Sequence, residues 1–264
     1  MIDEQPTTAQ TRGSETTLEV ATEAAPDSTE VSTVLQQLVD RFDRPEVSHD
    51  DEQVAARLRE LQRDFTRFRL RYKFAIDEIT TKIAILREEF EQTHDHNPIE
   101  HVRTRLKSPE SIFSKAARIG VPLVIPEIQR HIHDIAGVRL TCAFESDVYW
   151  IADMLTGQSD VTVIEVEDYI ARPKPNGYRS LHLIVQVPVY LSDRTEHVEV
   201  ELQIRTIAMD FWASVEHKIY YKYDGEVPTG LLDELRVAAA TAHDLDARMA
   251  RLRSETQKLS SPGR

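Results

Sequence analysis

Asp134 and Glu201 are the carboxylates of this chain best placed to do chemistry. Asp134 stands in His133-Asp-Ile-Ala-Gly-Val-Arg139, ahead of an apolar run that predicts a strand over Val138 to Phe144. Glu201 lies in Val198-Glu-Val-Glu-Leu-Gln-Ile-Arg205, where alternation is strict. Val198, Val200, Leu202 and Ile204 would face a core. Glu199, Glu201, Gln203 and Arg205 would face the other way, because successive strand side chains point to opposite sides. A polar row on a strand otherwise built for burial is costly unless it lines a polar cleft. Two acids in such a cleft, completed by substrate phosphates, suit Mg2+. Taken singly, Asp134 also reads as a turn former or a partner for Arg139, and the Glu201 row as an exposed sheet face.

Cations gather in two other places. The loop Arg172-Pro-Lys-Pro-Asn-Gly-Tyr-Arg-Ser-Leu-His182 carries Arg172, Lys174 and Arg179, with no carboxylate between positions 169 and 192. Its prolines restrict the backbone, Asn176-Gly177 makes a turn that tolerates positive φ, and Tyr178 adds a flat ring. Cations for phosphate beside a ring for a base suit a nucleotide. By composition alone the same loop is a solvated surface segment. Upstream, Arg103, Arg105 and Lys107 share one face of a strand predicted over Ile99 to Leu106. Ser108 and Pro109 then cap a helix on which Ser111, Lys115 and Arg118 form one stripe. Between His101 and Arg118 five Lys/Arg face a single acid, Glu110. Cations on a strand converging with cations on a helix make a polyphosphate cradle, with a merely solvated face as the alternative.

The elements that must position these groups follow from periodicity. A long helix runs from Asp50 or Asp51 to about Gln92, with a stripe including Val54, Leu61, Phe65, Phe68, Tyr72, Ile76, Ile79 and Ile83. Its opposite side carries Arg57, Arg59, Arg63, Arg67, Arg69 and Arg71. Glu60 and Asp64 interleave there, which favours a solvated face over an RNA-binding one. His94-Asp95-His96 reads as a polar loop. Further strands are predicted over Val161 to Ile170 and Leu181 to Val189. A helix follows Ser146 and Asp147. An aromatic helix starts near Asp210, with Trp212, Val215 and Ile219 in the core, and a last helix runs from about Leu231 to Leu259. A short helix is predicted near Ser32 to Arg41. Residues 1–30 hold seven carboxylates and one arginine and no aromatic side chain, so they read as a disordered acidic tail. Residues 31–259 form one domain, and 260–264 a loose tail.

With 264 residues, 41% of them hydrophobic, the chain can bury a substantial core. A net charge of −13 disfavours non-specific nucleic-acid binding, so any phosphate site must be a local basic island. The single cysteine, Cys142, excludes an intramolecular disulfide. Neither a secretory signal nor an apolar run long enough to span a bilayer is found, which makes no membrane contact and a cytoplasmic location the expectation.

Five stretches then fall in register. They are Arg105-Leu-Lys107-Ser-Pro-Glu-Ser111 with Lys115, then Asp134-Ile-Ala-Gly-Val-Arg139, then Gly177-Tyr178-Arg179-Ser180-Leu181-His182. Glu201-Leu-Gln203-Ile-Arg205-Thr206 and Phe211-Trp-Ala-Ser-Val-Glu216-His217 complete the set. In this order they resemble the synthetase domain of the RelA/SpoT superfamily, above all the stand-alone small alarmone synthetases. The resemblance implies a nucleotidyltransferase-like α/β (α+β) fold. Its mixed sheet would have about five strands flanked by helices, with long N- and C-terminal helices. It implies transfer of the β,γ-pyrophosphate of ATP to the 3′-hydroxyl of GTP or GDP, giving pppGpp or ppGpp and AMP. Position by position, Arg105 and Arg139 would sandwich adenine, and Lys107, Ser111, Lys115 and Arg118 would hold the ATP phosphates. Asp134 and Glu201 would bind Mg2+, with Glu201 drawing the proton from the 3′-hydroxyl. Tyr178 would stack on guanine, and Lys174, Arg179, His182, Gln203, Arg205 and Asp210 would surround the acceptor. Asp210 departs from the pattern, since relatives often have Asn there. The resemblance further implies a homotetramer, an alarmone or RNA effector, no alarmone hydrolysis and no ribosome-sensing module. Two other readings stay open: a non-catalytic alarmone- or RNA-binding protein on the same fold, and a nucleotidyltransferase with another acceptor.

Overall fold

Strict alternation in the strands produces one sheet with an apolar and a polar face. The structure, a computed structural model, describes residues 21–22, 49–221 and 228–260. Its strands are β1 (Ala21–Thr22), β2 (Ile99–Leu106), β3 (Ala136–Cys142), β4 (Thr162–Asp168), β5 (Leu181–Tyr190) and β6 (Thr195–Thr206). They lie in the order β1-β2-β3-β6-β5-β4. β3 and β6 are parallel, while β2–β3, β6–β5 and β5–β4 are antiparallel. This is the mixed sheet of about five strands that the resemblance implied, with five full strands and the stub β1. The stub β1 pairs with the edge of β2, so two residues of the acidic tail add to an otherwise open strand edge. The predicted helix near Ser32, the predicted disordered tail apart from residues 21–22, and residues 261–264 of the predicted loose tail lie outside the described residues, while Ser260 ends the last helix.

The helices are α1 (His49–Thr93), α2 (Pro109–Ile119), α3 (Ile125–His131), α4 (Glu145–Thr156), α5 (Ile207–Tyr221) and α6 (Thr229–Ser260). α1 and α4 cover the apolar face. Phe68, Tyr72, Ile76, Ile79 and Ile83 of α1 join Val148, Ile151 and Leu155 of α4 over Val138, Leu140, Val200, Leu202 and Ile204. At about 1.5 Å per residue, a helix of 45 residues is longer than the sheet is wide. Its first turns therefore overhang, and Val54 and Leu61 of the apolar stripe are exposed. On the arginine face, Arg57 pairs with Glu60 and Arg67 with Asp64. α5 and α6 pack on one another around Trp212, Ala213, Leu235 and Ala239.

Some expectations shift. β3 starts and ends two residues earlier than predicted, because Phe144 is the extended N-cap of α4. Seven-residue α3 is too short to show a period and was not predicted. Val215 is exposed rather than core. The polar loop holds more than solvated groups: His96 bonds the buried carboxylate of Asp147, which Arg253 of α6 also grips.

Candidate active site

Strand register builds the site as two rungs across the polar face. Arg105 of β2 lies opposite Gly137 of β3, Gly137 opposite Glu201 of β6, and Glu201 opposite Ile184 of β5. One step along, the rung runs Arg103, Arg139, Gln203, His182 and Glu167. Two adjoining clefts open on this face. One is lined by Arg103, Arg105, Arg139 and Gln203, the other by Lys115, His133, His182, Glu165 and Glu167. Asp134 and Glu201 line both. The two acids therefore stand where groups held in separate clefts would meet.

Asp134 precedes β3, and its carboxylate takes Lys107 from the end of β2 on one oxygen. Lys115 from α2 binds the other at 2.7 Å. Lys115 reaches it because α2 starts at a real cap: Ser108 Oγ accepts the Ser111 amide at 3.2 Å, with Pro109 in the first turn. Burial opposes ionisation of Asp134, but hydrogen bonds from the two lysines outweigh it and hold its carboxyl below its ordinary value. Burial also depresses the Lys107 ammonium against the attraction of Asp134. Glu201 behaves like Asp134: burial is overcome by hydrogen bonds from His182 and Gln203, and its carboxyl lies below the usual range. Both acids are thus anionic at neutral pH. Among the described residues no three His, Cys, Asp or Glu side chains stand close enough together to hold a metal ion by themselves. Two hard anionic oxygens open to the same space still fit Mg2+, which takes few protein ligands and completes its shell from phosphate and water.

Glu201 closes a ring of hydrogen bonds. His182 Nδ1 lies 3.2 Å from Glu201 Oε1, and His182 Nε2 lies 2.7 Å from the Tyr178 hydroxyl. Arg205 donates to that hydroxyl and, at 2.9 Å, to Gln203 Oε1. Gln203 Nε2 returns to Glu201 Oε2 at 3.0 Å. Since the Tyr178 oxygen accepts from Arg205, its proton goes to Nε2, which leaves Nδ1–H for Glu201. The ring thus sets the His182 tautomer.

A family model for the region found in RelA / SpoT proteins matches residues 104–226, which hold the lining of both clefts except Arg103. The structure of small alarmone synthetase 1 from Bacillus subtilis bound to its product pppGpp superposes with a TM-score of 0.69. The sequences are 41% identical, covering 74% of this chain and 98% of that one. The same enzyme bound to AMPCPP gives 0.64 at 39% identity, with 74% and 99% covered. The GTP pyrophosphokinase YwaC of Bacillus subtilis is 50% identical over 209 residues, 79% of this chain and 97% of YwaC. The chain belongs to the small alarmone synthetases of the RelA/SpoT family. In this synthetase the basic loop is seated on the C-terminal helix. Arg236 of α6 donates to Pro175 O at 3.1 Å, and Asn176 bonds Glu216 of α5 at 3.1 Å. Gly177 has φ +92°, and a Cβ there would come within 2.5 Å of Ala239 Cβ.

Most of the residues expected in the site of this synthetase do come together. Arg105 and Arg139 line the first cleft and Lys115 the second, while Lys107 reaches both through Asp134, which the two clefts share. Tyr178, His182, Glu201, Gln203 and Arg205 form the ring. Asp210, at the start of α5, bonds Arg205 at 3.3 Å and Arg139 at 3.5 Å. Ser111 bonds its own cap, Ser108. Arg118 is exposed in the last turn of α2, about 10 Å along the helix from Ser111. Arg179 is not brought to the acceptor side. Alternation turns it to the other face of the chain, where it donates to Ile170 O at 2.7 Å and its charge acts on Tyr149 and Asp246. Tyr178 is half-buried against α6 rather than raised at a loop tip. Tyr169 was missed by sequence reasoning. It lies just past β4 with no periodic signal, yet Lys174 Nζ stands 4.1 Å from its ring centre and 5.2 Å from that of Tyr178. Glu165 and Glu167 were missed although they alternate as the acids of β6 do. No described helix is long and apolar enough to cross a membrane.

Proposed function

We propose that this synthetase is a GTP pyrophosphokinase, with ATP in the cleft of Arg105 and Arg139 and GTP or GDP in the cleft of His182. The observation that carries this reading is the pair of clefts sharing Asp134 and Glu201. The relatives bound to AMPCPP and to pppGpp support one donor and one acceptor nucleotide. The bond formed joins the acceptor 3′-oxygen to the β-phosphorus of ATP. The bond broken is from that phosphorus to the bridging oxygen, which leaves with AMP. Such transfer needs alignment and charge neutralisation more than covalent chemistry from the protein. Lys107 and Lys115, both paired with Asp134, would hold the donor phosphates where the two clefts meet, with Ser111 and Arg118 on the same helix as Lys115 completing the cradle. Glu201, ionised and fixed by His182 and Gln203, accepts the 3′-hydroxyl proton and passes it to solvent. Asp134 and Glu201 would hold Mg2+, which neutralises phosphate charge when bound. Lys174, Tyr178 and Tyr169 form the acceptor wall, with guanine on the Tyr178 ring. The exposed Val54 and Leu61 of α1 and Leu245, Met249 and Leu252 of α6 suit a homo-oligomer such as the homotetramer.

The test is incubation with ATP, Mg2+ and each of GTP, GDP and GMP, with separation of nucleotides. AMP and a 3′-pyrophosphorylated guanosine nucleotide are expected in equal amounts and are lost in Glu201→Ala. Guanine-nucleotide binding without AMP release would instead mark a non-catalytic binder.

A further inference from the structure

We propose that Asp210 is a positioning residue that couples the two nucleotide clefts, holding through one carboxylate oxygen Arg139 of the donor cleft and Arg205, which fixes Tyr178 beside the acceptor cleft. The inference rests on the assignment of the clefts to donor and acceptor. Arg139 Nη1 and Arg205 Nη1 both approach Asp210 Oδ1, at 3.5 Å and 3.3 Å. Arg139 lines the donor cleft and does not line the one that contains His182. Arg205 reaches the acceptor side through Tyr178: its other guanidinium nitrogen bonds the Tyr178 hydroxyl, which bonds His182 of that cleft at 2.7 Å. One oxygen therefore touches an arginine of the donor cleft and one that holds the acceptor cleft through Tyr178 and His182.

The bridge is built to transmit. The Arg205 side chain is 5% exposed and that of Asp210 16%, so water screens their attraction poorly. The carboxylate is also a fixed post. Thr206 Oγ1 accepts the Met209 amide at 3.1 Å and donates to Asp246 on α6 at 2.7 Å, which pins the first turn of α5. With the post immobile, each guanidinium is oriented by the same charge. Removing that charge takes this anchor from both guanidinium groups, and loosens Arg205 from the geometry that holds Tyr178.

The test is Asp210→Asn, which keeps the shape and removes the charge. Binding of AMPCPP alone and of GDP alone is measured by calorimetry, with the melting temperature recorded. Both dissociation constants are expected to rise about three- to tenfold, with little change in melting temperature. Weakening of GDP alone would make Asp210 a contact of the acceptor only and overturn the coupling, and so would unchanged binding of both. Should Asp210→Asn not fold, Arg139→Gln breaks the same bridge from a strand surface. Because Arg139 does not line the acceptor cleft, its loss should still weaken GDP binding about two- to threefold, and unchanged GDP affinity overturns the proposal. Since both readouts are binding constants, wild-type protein that binds both nucleotides yet releases no AMP would fail the pyrophosphokinase reading alone.

Discussion

Gly177→Ala offers the sharpest test of how the acceptor loop is held. Gly177 sits at φ +92°, where an L side chain is strained by about 1 kcal/mol or more. The added methyl would stand 2.5 Å from Ala239 Cβ, against an optimum near 3.5–4.0 Å, so loop and helix must part by about 1 Å. Ala239 is buried on α6 and cannot swing away. Tyr178 is the next residue. A shift of that size stretches its 2.7 Å bond to His182 beyond hydrogen-bonding range and takes an acceptor from buried Arg205. Leaving such groups unsatisfied costs about 1–3 kcal/mol. Together these predict an acceptor KM raised about ten- to a hundredfold, with the ATP KM little changed. Steady-state AMP release at varied GTP and fixed saturating ATP measures it. The cause is separable. Ala239→Gly removes the clashing methyl and leaves Ala239's Cα 4.0 Å away, an ordinary contact. That change alone should cost about 1 kcal/mol of stability through helix propensity. In the double variant the acceptor KM should return most of the way, leaving only the φ strain. An acceptor KM within twofold of wild type in Gly177→Ala, or no recovery in the double variant, would refute the seating of the loop on α6.

Other expectations can be checked separately. Glu201→Gln should cut kcat about 10²- to 10⁴-fold while guanine-nucleotide affinity, followed by calorimetry, changes only slightly. Tyr178→Phe keeps the ring but opens the hydrogen-bond circuit. An acceptor KM raised about three- to tenfold is expected from kinetics, and no change would show that the hydroxyl is dispensable. Asp134→Asn should lower unfolding free energy by about 1–3 kcal/mol at neutral pH, since it leaves Lys107 and Lys115 without their shared anion. The folded carboxyl lies below its ordinary 3.8, so this contribution is present above that value and is lost as pH falls through the folded one. Denaturant titrations should therefore show the gap closing in acid. Asp246 has the opposite sign, because burial raises its carboxyl despite the bond from Thr206. Its stabilisation is full below the ordinary value and declines as pH rises through the folded one. Relative to wild type, Asp246→Asn should thus gain stability between pH 4 and pH 8, and a relative loss would contradict the assignment.

A strand has a period of two, so local order is enough to say which side chains share a face. That is why the rows Arg103–Arg105 and Glu199 to Arg205 were legible, along with their partners in chemistry. The Ser108-Pro109 cap likewise fixed where α2 starts, and so which of its residues form the stripe with Lys115. The resemblance to RelA/SpoT synthetases supplied roles for these rows. Period alone says nothing about which strand lies beside which. Placing β6 between β3 and β5 joins segments far apart in sequence, and that order creates the rungs on which Arg139, Gln203 and His182 meet. Two lysines on one carboxylate, Arg205 spent on Tyr178 and Asp210, and Arg179 turned to the opposite face are all outcomes of that packing. So is the basic loop, whose prolines and glycine announce a turn but not the helix it rests on. The sequence specified the faces, because they follow from neighbouring residues along the chain. The tertiary structure decided the partners, because charge and contact act through space between residues that the sequence keeps apart.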